Sequence, residues 1–93
     1  MRYYSRQEVI EILGVEEGFL VELEREEIFF CDDPERAGRY SEQMLERARV
    51  ADNLIHELEV NLAGAAVIVR MREHLAELRH HVEELAAELR SRR

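Results

Sequence analysis

The stretch NLAGAAVIVRMREHLAELRHHVEELAAELRSRR, residues 61–93, decides the fold of this chain. Its apolar residues follow one another at alternating steps of three and four, and no glycine or proline interrupts it after Gly64. A strict 3.5-residue repeat drives a helix to supercoil against a partner helix. The apolar seam predicted here consists of Ile68, Met71, Leu75, Leu78, Val82, Leu85 and Leu89.

The length of this helix indicates what it does. At 1.5 Å per residue, a helix of roughly 30 residues would span about 45 Å, which is more than so small a domain can cover. We therefore predict a dimerisation coiled coil that makes the protein a homodimer, with residues 1–60 forming a small domain at its root in one compact unit. A chain of 93 residues is marginal in burying a core unaided, and oligomerisation is a usual remedy. One helix of an intramolecular bundle remains the alternative.

The composition limits the classes of protein to which this chain can belong. The sequence is 46% hydrophobic and 37% charged, as in a soluble, helix-rich chain. It has no 18-residue apolar run, so no membrane span is expected, and its N-terminus lacks the pattern of a signal peptide. A single cysteine, Cys31, offers no internal disulfide. A cytoplasmic location is the expectation that follows.

The charge distribution argues against nucleic acid. The net charge is −8, and lysine is absent. Residues 1–31 hold three Arg against eight Glu, residues 32–60 hold four Arg against eight acidic residues, and residues 61–93 hold six Arg and five Glu. A surface that binds duplex DNA must neutralise phosphates with Lys and Arg. An acidic domain of this kind favours a basic protein partner.

The first part of the chain predicts a helix-turn-helix. Tyr3-Tyr4 is a short extended stretch, and Ser5-Arg6-Gln7-Glu8 is a capping box that starts a helix. Gly14 suits the left-handed position that ends it. A second helix is expected from Glu16 to about Glu27. Its inward face carries Phe19, Leu20 and Leu23.

A small wing and a third helix are expected next. Ile28-Phe29-Phe30 is β-prone, a polar loop with Pro34 and Gly38 follows, and Arg39-Tyr40 resumes an extended stretch, so a hairpin is predicted. Ser41 caps the third helix, residues 59–61 form a break, and Asn61 caps the long helix. The buried stripe of the third helix is predicted to be Met44, Ala48, Ala51, Ile55 and Leu58.

This order of elements resembles the MerR-type winged helix-turn-helix family. The resemblance implies a mainly α fold with a small β wing and a long C-terminal coiled-coil helix. Where MerR regulators carry Arg and paired aromatics on the recognition helix, this chain has Val21-Glu22-Leu23, without the Arg, Asn or Gln that read bases. The matching residues are Tyr4-Ser5, Glu8-Val9, Leu13-Gly14-Val15, Leu20, Glu24-Arg25-Glu26 and Arg39-Tyr40-Ser41.

A narrower resemblance concerns residues 58–68, LEVNLAGAAVI, followed by Arg70-Met71. This segment is similar to the CbpM group of chaperone modulators, often labelled MerR-like. The resemblance implies that the protein binds the J-domain of a DnaJ-like co-chaperone of the CbpA type and restrains it. J-domains present a basic helix to their heat-shock chaperone partner, and an acidic ligand could occupy that surface.

Two other functions stay open. The first is a DNA-binding transcriptional regulator of the MerR family, in which Arg36 and Arg39 of the wing would touch phosphates. The second is a coiled-coil assembly module without a further partner.

The candidate partner-binding residues are three carboxylates and three aromatic rings. Glu22 and Glu26 are four apart and should share one exposed face of the second helix. An ordinary solvated acidic face is the alternative interpretation. The exposed side of an aromatic ring would supply the anchor that charges alone do not provide. The set is Glu16, Glu22, Glu26, Phe29, Phe30 and Tyr40.

No pattern supports catalysis or a metal. His74 and His81 are seven residues apart, about 10 Å along a helix, which is too far for them to share an ion within one chain. Together with His56 and His80, they are expected to be solvated or ion-paired. The sequence has no phosphate loop, zinc-binding motif or nucleophile pair. We therefore expect neither an enzyme nor a cofactor.

Overall fold

The computed structural model describes residues 2–92 and is mainly helical, with a small antiparallel sheet and a long C-terminal helix. The predicted fold class is confirmed. Arg93, the predicted end of the long helix, lies outside the described residues. The elements in order are β1 (Tyr3–Ser5), α1 (Arg6–Leu13), α2 (Glu17–Arg25), a 3-10 turn (Pro34–Arg36), β2 (Arg39–Ser41), α3 (Glu42–Glu57) and α4 (Leu62–Ser91).

The helix boundaries predicted at Ser5, Gly14 and Asn61 are fixed by local hydrogen bonds. At the start of α1 the Ser5 hydroxyl accepts from the Glu8 amide at 3.1 Å, and the Glu8 carboxylate accepts from the Ser5 amide at 2.9 Å. Gly14 ends α1 with a φ of 66°. At the start of α4 the Asn61 side chain accepts from the Gly64 amide at 2.7 Å. Each cap satisfies backbone groups that have no partner within the helix.

The sheet joins β1 to β2, with Tyr4 opposite Tyr40. The prediction that Ile28-Phe29-Phe30 forms a strand is wrong. Glu27 takes a left-handed conformation with a φ of 59°, and the Ile28 amide donates to the Leu23 carbonyl at 3.2 Å. This six-residue turn closes the end of α2 and drives Ile28 and then Phe29 into the core. Two consecutive buried residues do not fit the alternation of a strand.

The core lies between α1, α2, α3 and the first turns of α4. Phe29 stacks on Tyr40 at 4.4 Å between ring centroids. The predicted stripe of α3 is buried as far as Ala51, but Leu58 is 68% exposed because α3 ends at Glu57. The largest fully buried side chains are Phe29, Leu20, Leu23, Ile28, Met44, Val9 and Val69.

Helix α4 has two faces with different surroundings. Ala65, Ala66 and Val69 are buried against the domain. At 3.6 residues per turn, the predicted seam is about 180° away from them on the helix surface. From Met71 to Leu89 every seam residue is exposed. Within residues 2–92 no element of the chain covers this stretch, so the intramolecular bundle is not formed here.

Candidate partner-binding surface

Arg6 organises the helix-turn-helix. From α1 it donates to the Glu24 carboxylate at 2.8 Å and to the Tyr40 hydroxyl at 2.9 Å, and it also pairs with Glu17. The hydrogen bonds to Glu24 raise the pKa of the Arg6 guanidinium. The network connects α1, α2 and β2, and its single positive charge is shared by two carboxylates of α2. Sequence reasoning missed it because the partners are 11 to 34 residues away.

The charges of α2 and its two ends form the acidic α2 surface, defined as Glu16, Glu17, Glu22, Glu24, Glu26 and Glu27. In residues 16–27 the only cation is Arg25. Since Glu17 and Glu24 share the single positive charge of Arg6, most of the accessible negative charge of this surface lies with the other four.

An open groove of about 480 Å³ lies between the start of α2 and the end of α3. Asp52 of α3 faces it, with its carboxylate 2.7 Å from Nδ1 of His56. The His56 ring lies 5.6 Å from the Phe19 ring. The groove therefore combines an apolar floor with carboxylates from two helices. It is lined by Gly14, Val15, Glu16, Gly18, Phe19, Glu22, Asp52 and His56.

The structure brings together only some of the predicted site residues. Glu16 and Glu22 line the groove, whereas Glu26 and Phe30 do not. Glu26 caps the end of α2, and its carbonyl accepts from Arg70 of α4 at 2.7 Å. Phe30 is 44% exposed and lies under the Arg47 guanidinium, 5.7 Å from it.

Phe29 and Tyr40 do not present the exposed rings that the sequence suggested. Phe29 is fully buried and Tyr40 is only 5% exposed, because they stack on one another and the Tyr40 hydroxyl accepts from Arg6. Of the three candidate aromatics, only Phe30 offers an accessible face.

The arginines of the wing have carboxylate neighbours. Arg36 lies 3.6 Å from Asp33 and over the ring of Tyr3, and Arg39 lies 3.8 Å from Glu8. Both guanidinium groups are about half exposed. A phosphate approaching the wing would meet these cations beside carboxylates, which weakens the attraction.

Arg47 fixes α4 to the domain. It donates to the Glu73 carboxylate at 2.6 and 2.8 Å and to the Ile28 carbonyl at 3.3 Å. The hydrogen bond from Arg47 lowers the pKa of Glu73. The paired carboxylate therefore stabilises the fold above its unfolded pKa, and this contribution is lost as the pH falls through its lower folded pKa.

We expect Glu73→Gln to lower the free energy of unfolding at pH 7 by about 1–2 kcal/mol, as for a charge-assisted hydrogen bond. The difference from the wild type should shrink as the pH falls below about 4.5, because protonation removes the same charge. Denaturant unfolding at pH 7 and pH 3.5 measures both. Glu77→Gln, exposed one turn further along α4, is the control. A difference that stays constant over this range would contradict the role of the ion pair.

The histidines and the acidic side chains do not assemble a metal site. In residues 2–92 no group of three or more His, Cys, Asp or Glu side chains is placed to hold an ion. His56 pairs with Asp52, and His80 pairs with Glu84, each at 2.7 Å. Over the same residues, no helix combines the length and the apolar character needed to cross a bilayer.

The geometry defines a class of protein. Two short helices joined by a glycine turn, a two-stranded sheet and a third helix form a winged helix-turn-helix domain. Residues 4–87 match the family described as MerR HTH family regulatory protein, and the chain belongs to this family. Such regulatory proteins are typically non-enzymatic. No significant match was found among curated proteins or among solved structures.

Proposed function

We propose that this protein is a modulator that binds and inhibits the J-domain of a DnaJ-like co-chaperone of the CbpA type. It works as a cytoplasmic homodimer, without catalysis and without a cofactor. The observation that carries the proposal is the negative charge of the acidic α2 surface. In a DNA-binding protein of this fold, the second helix enters the major groove.

Electrostatics support a basic protein partner over DNA. Glu16 and Glu22 line the groove together with Asp52, and no arginine is among the described residues that line it. A phosphate backbone would be repelled by these carboxylates, since cations supply most of the affinity for duplex DNA. A basic helix of a J-domain carries the complementary charge. Such complementarity steers association and selects the partner.

The proposed mechanism is steric. A J-domain acts by docking its basic helix on a heat-shock chaperone, so a ligand that occupies this helix excludes the chaperone. The J-domain helix would lie along α2 with its cations over Glu16 and Glu22. Phe30 is exposed and follows the end of α2 by five residues, and it is the candidate for an apolar contact at the edge.

Reversal of the groove charges tests this placement. We expect Glu16→Lys/Glu22→Lys to weaken binding of the isolated J-domain by about 10-fold at low salt, from up to about 1 kcal/mol for each exposed charge pair. The loss should shrink at 0.5 M salt, where exposed charges are screened. Isothermal titration at the two salt concentrations measures it.

The control is a second pair of Glu→Lys substitutions, placed away from α2. Glu83→Lys/Glu84→Lys changes net charge equally on the exposed part of α4 and should leave the affinity within about twofold if α2 is the contact. Binding that the α2 variant leaves unchanged would place the J-domain on another surface. A wild-type protein that does not bind the J-domain at moderate salt would contradict the proposed function.

The family itself favours a second candidate, a DNA-binding transcriptional regulator of the MerR family. In that case Arg36 and Arg39 would contact phosphates, and Arg25 would be the cation of α2. A mobility shift on the DNA upstream of the protein's own gene, lost in Arg36→Ala/Arg39→Ala, would favour it. Absence of a shift at 50 mM salt, where phosphate contacts are strongest, would exclude it.

A further inference from the structure

Three of the four glycines of the chain have a structural reason for lacking a side chain. Gly14 and Gly38 have left-handed φ angles of 66° and 78°, which glycine adopts without steric cost. At Gly64 an added Cβ atom would lie 3.1 Å from each of two neighbouring side chains, so the position is crowded. Neither reason applies to Gly18, which lines the groove between α2 and α3.

Gly18 lies in the first turn of α2, and a Cβ atom added there would meet nothing within 4 Å. Glycine is less favourable in a helix than any residue except proline, because it loses the most backbone freedom on folding. An alanine would therefore fit this position and stabilise the fold. The described residues give no contact that explains the glycine, so the space it leaves open is available to a ligand of the groove.

The charges around Gly18 select a cation. The N-terminus of α2 carries a partial positive charge, equivalent to about half an elementary charge. The carboxylates of Glu16, Glu22 and Asp52 line the same groove, and together they outweigh it. The Asp52 side chain is only 26% exposed, and its Oδ1 atom lies 2.7 Å from Nδ1 of His56, which holds the carboxylate in place. An anion would be repelled here and a cation attracted.

The lining of the groove favours an arginine side chain over a metal ion or a lysine. In residues 2–92 no group of acidic, histidine or cysteine side chains is placed to hold a metal. The groove also contains the ring of Phe19. A guanidinium stacks on aromatic rings and can donate two parallel hydrogen bonds to one carboxylate. A lysine ammonium is a strongly hydrated point charge, which makes less use of such a site.

We infer that the groove binds one arginine side chain of a protein partner, and that the glycine at position 18 lets the guanidinium lie against α2. The guanidinium stacks on the ring of Phe19 and donates to Asp52, while the two exposed glutamates add attraction. The identity of the partner, a basic J-domain helix, rests on the proposed function, whereas the arginine site does not. An added side chain at Gly18 would occupy the space that the guanidinium needs.

Titration with a blocked amino acid tests the site without a J-domain. The full chain is titrated with N-acetylarginine methylamide, or with its lysine counterpart, while the backbone amide signals are followed by NMR. For arginine we expect saturable shifts at groove residues and a dissociation constant of about 1–10 mM, from one charge-assisted hydrogen-bonded pair and one cation–π contact. Lysine should bind at least about fivefold more weakly. Equal affinities, or shifts outside the groove only, would overturn the inference.

Gly18→Ala separates a binding role from a structural one. Its Tm should rise by about 2–8 °C, because alanine restricts the unfolded chain. Arginine binding should weaken at least about fivefold, because the added methyl group overfills the site. A Tm below that of the wild type would show that the glycine serves the fold, and unchanged arginine affinity would show that no ligand needs the space. Either result would overturn the inference.

A matched pair of variants on α3 tests the carboxylate. Asp52→Asn should weaken arginine binding by at least about fivefold, as for the loss of a charge-assisted hydrogen bond. Glu57→Gln removes the same charge from the same helix at a residue outside the groove, and it should leave the affinity within about twofold, as expected for a distant exposed charge. Equal effects of the two variants would contradict a specific site.

The J-domain gives a separate reading. A protein that binds the J-domain but not the blocked arginine would keep the proposed function and overturn the arginine site. A protein that binds the blocked arginine but not the J-domain would support the arginine site and contradict the proposed function.

Discussion

Phe29→Ala is expected to lower the free energy of unfolding by about 3–5 kcal/mol, the usual cost of removing a fully buried phenylalanine. Phe29 is the largest fully buried side chain, and its ring stacks on Tyr40. A domain of this size has a total stability on the order of 5–14 kcal/mol. The substitution therefore removes a large part of it, and urea unfolding followed by circular dichroism measures the loss.

The neighbouring residue supplies the matched control. Phe30 is 44% exposed. Phe30→Ala should therefore lower the free energy of unfolding by less than about 1 kcal/mol, because the substitution removes little buried apolar area. Equal losses for the two variants would contradict the assignment of Phe29 to the core and Phe30 to the surface. The contrast also separates a stability defect from a binding defect when Phe30→Ala is tested against the J-domain.

The second large effect concerns the seam of α4. Leu78→Glu/Val82→Glu should raise the dissociation constant of the proposed homodimer by more than about 100-fold, because four carboxylates would be buried without partners at its centre. The monomer should keep its fold, since both side chains are about 60% exposed within one chain. Sedimentation equilibrium measures the association, and circular dichroism measures the helix content.

Leu58→Glu is the control for this variant. Leu58 is 68% exposed between α3 and α4, away from the seam. The Leu58→Glu variant should keep the dissociation constant of the homodimer within about twofold of the wild-type value. A seam variant that remains as dimeric as the wild type would contradict the coiled-coil interpretation. A wild type that is monomeric at 100 μM would contradict it more directly.

Local signals in the sequence were sufficient to predict much of the fold. The caps at Ser5, Ser41 and Asn61 and the glycine stop at Gly14 involve residues within a few positions of one another. Their geometry is therefore determined by nearby sequence. The heptad spacing of α4 correctly predicted a long helix for the same reason.

The remaining features depend on contacts between distant residues. Ile28-Phe29-Phe30 has the composition of a strand, but the turn at Glu27 directs Ile28 and Phe29 into the core. The segment Tyr3–Ser5 pairs with β2 instead. The burial of Tyr40 and the pairing of Glu17 and Glu24 with Arg6 likewise arise only when the helices pack. Of the six candidate contact residues, Glu16 and Glu22 both line the groove. Glu16 follows the turn at Gly14 and Glu22 lies within α2, so both are close to the end of α3 across the groove.

Stimulation of a heat-shock chaperone's ATPase by the J-domain tests the central claim most directly. The rate is measured with the chaperone and the J-domain at fixed concentrations while the purified protein is added. The proposed function predicts that stimulation falls to the basal rate once the protein exceeds the J-domain, and that Glu16→Lys/Glu22→Lys needs about 10-fold more protein, as for binding. Stimulation that persists unchanged in a large excess of the wild-type protein would contradict it.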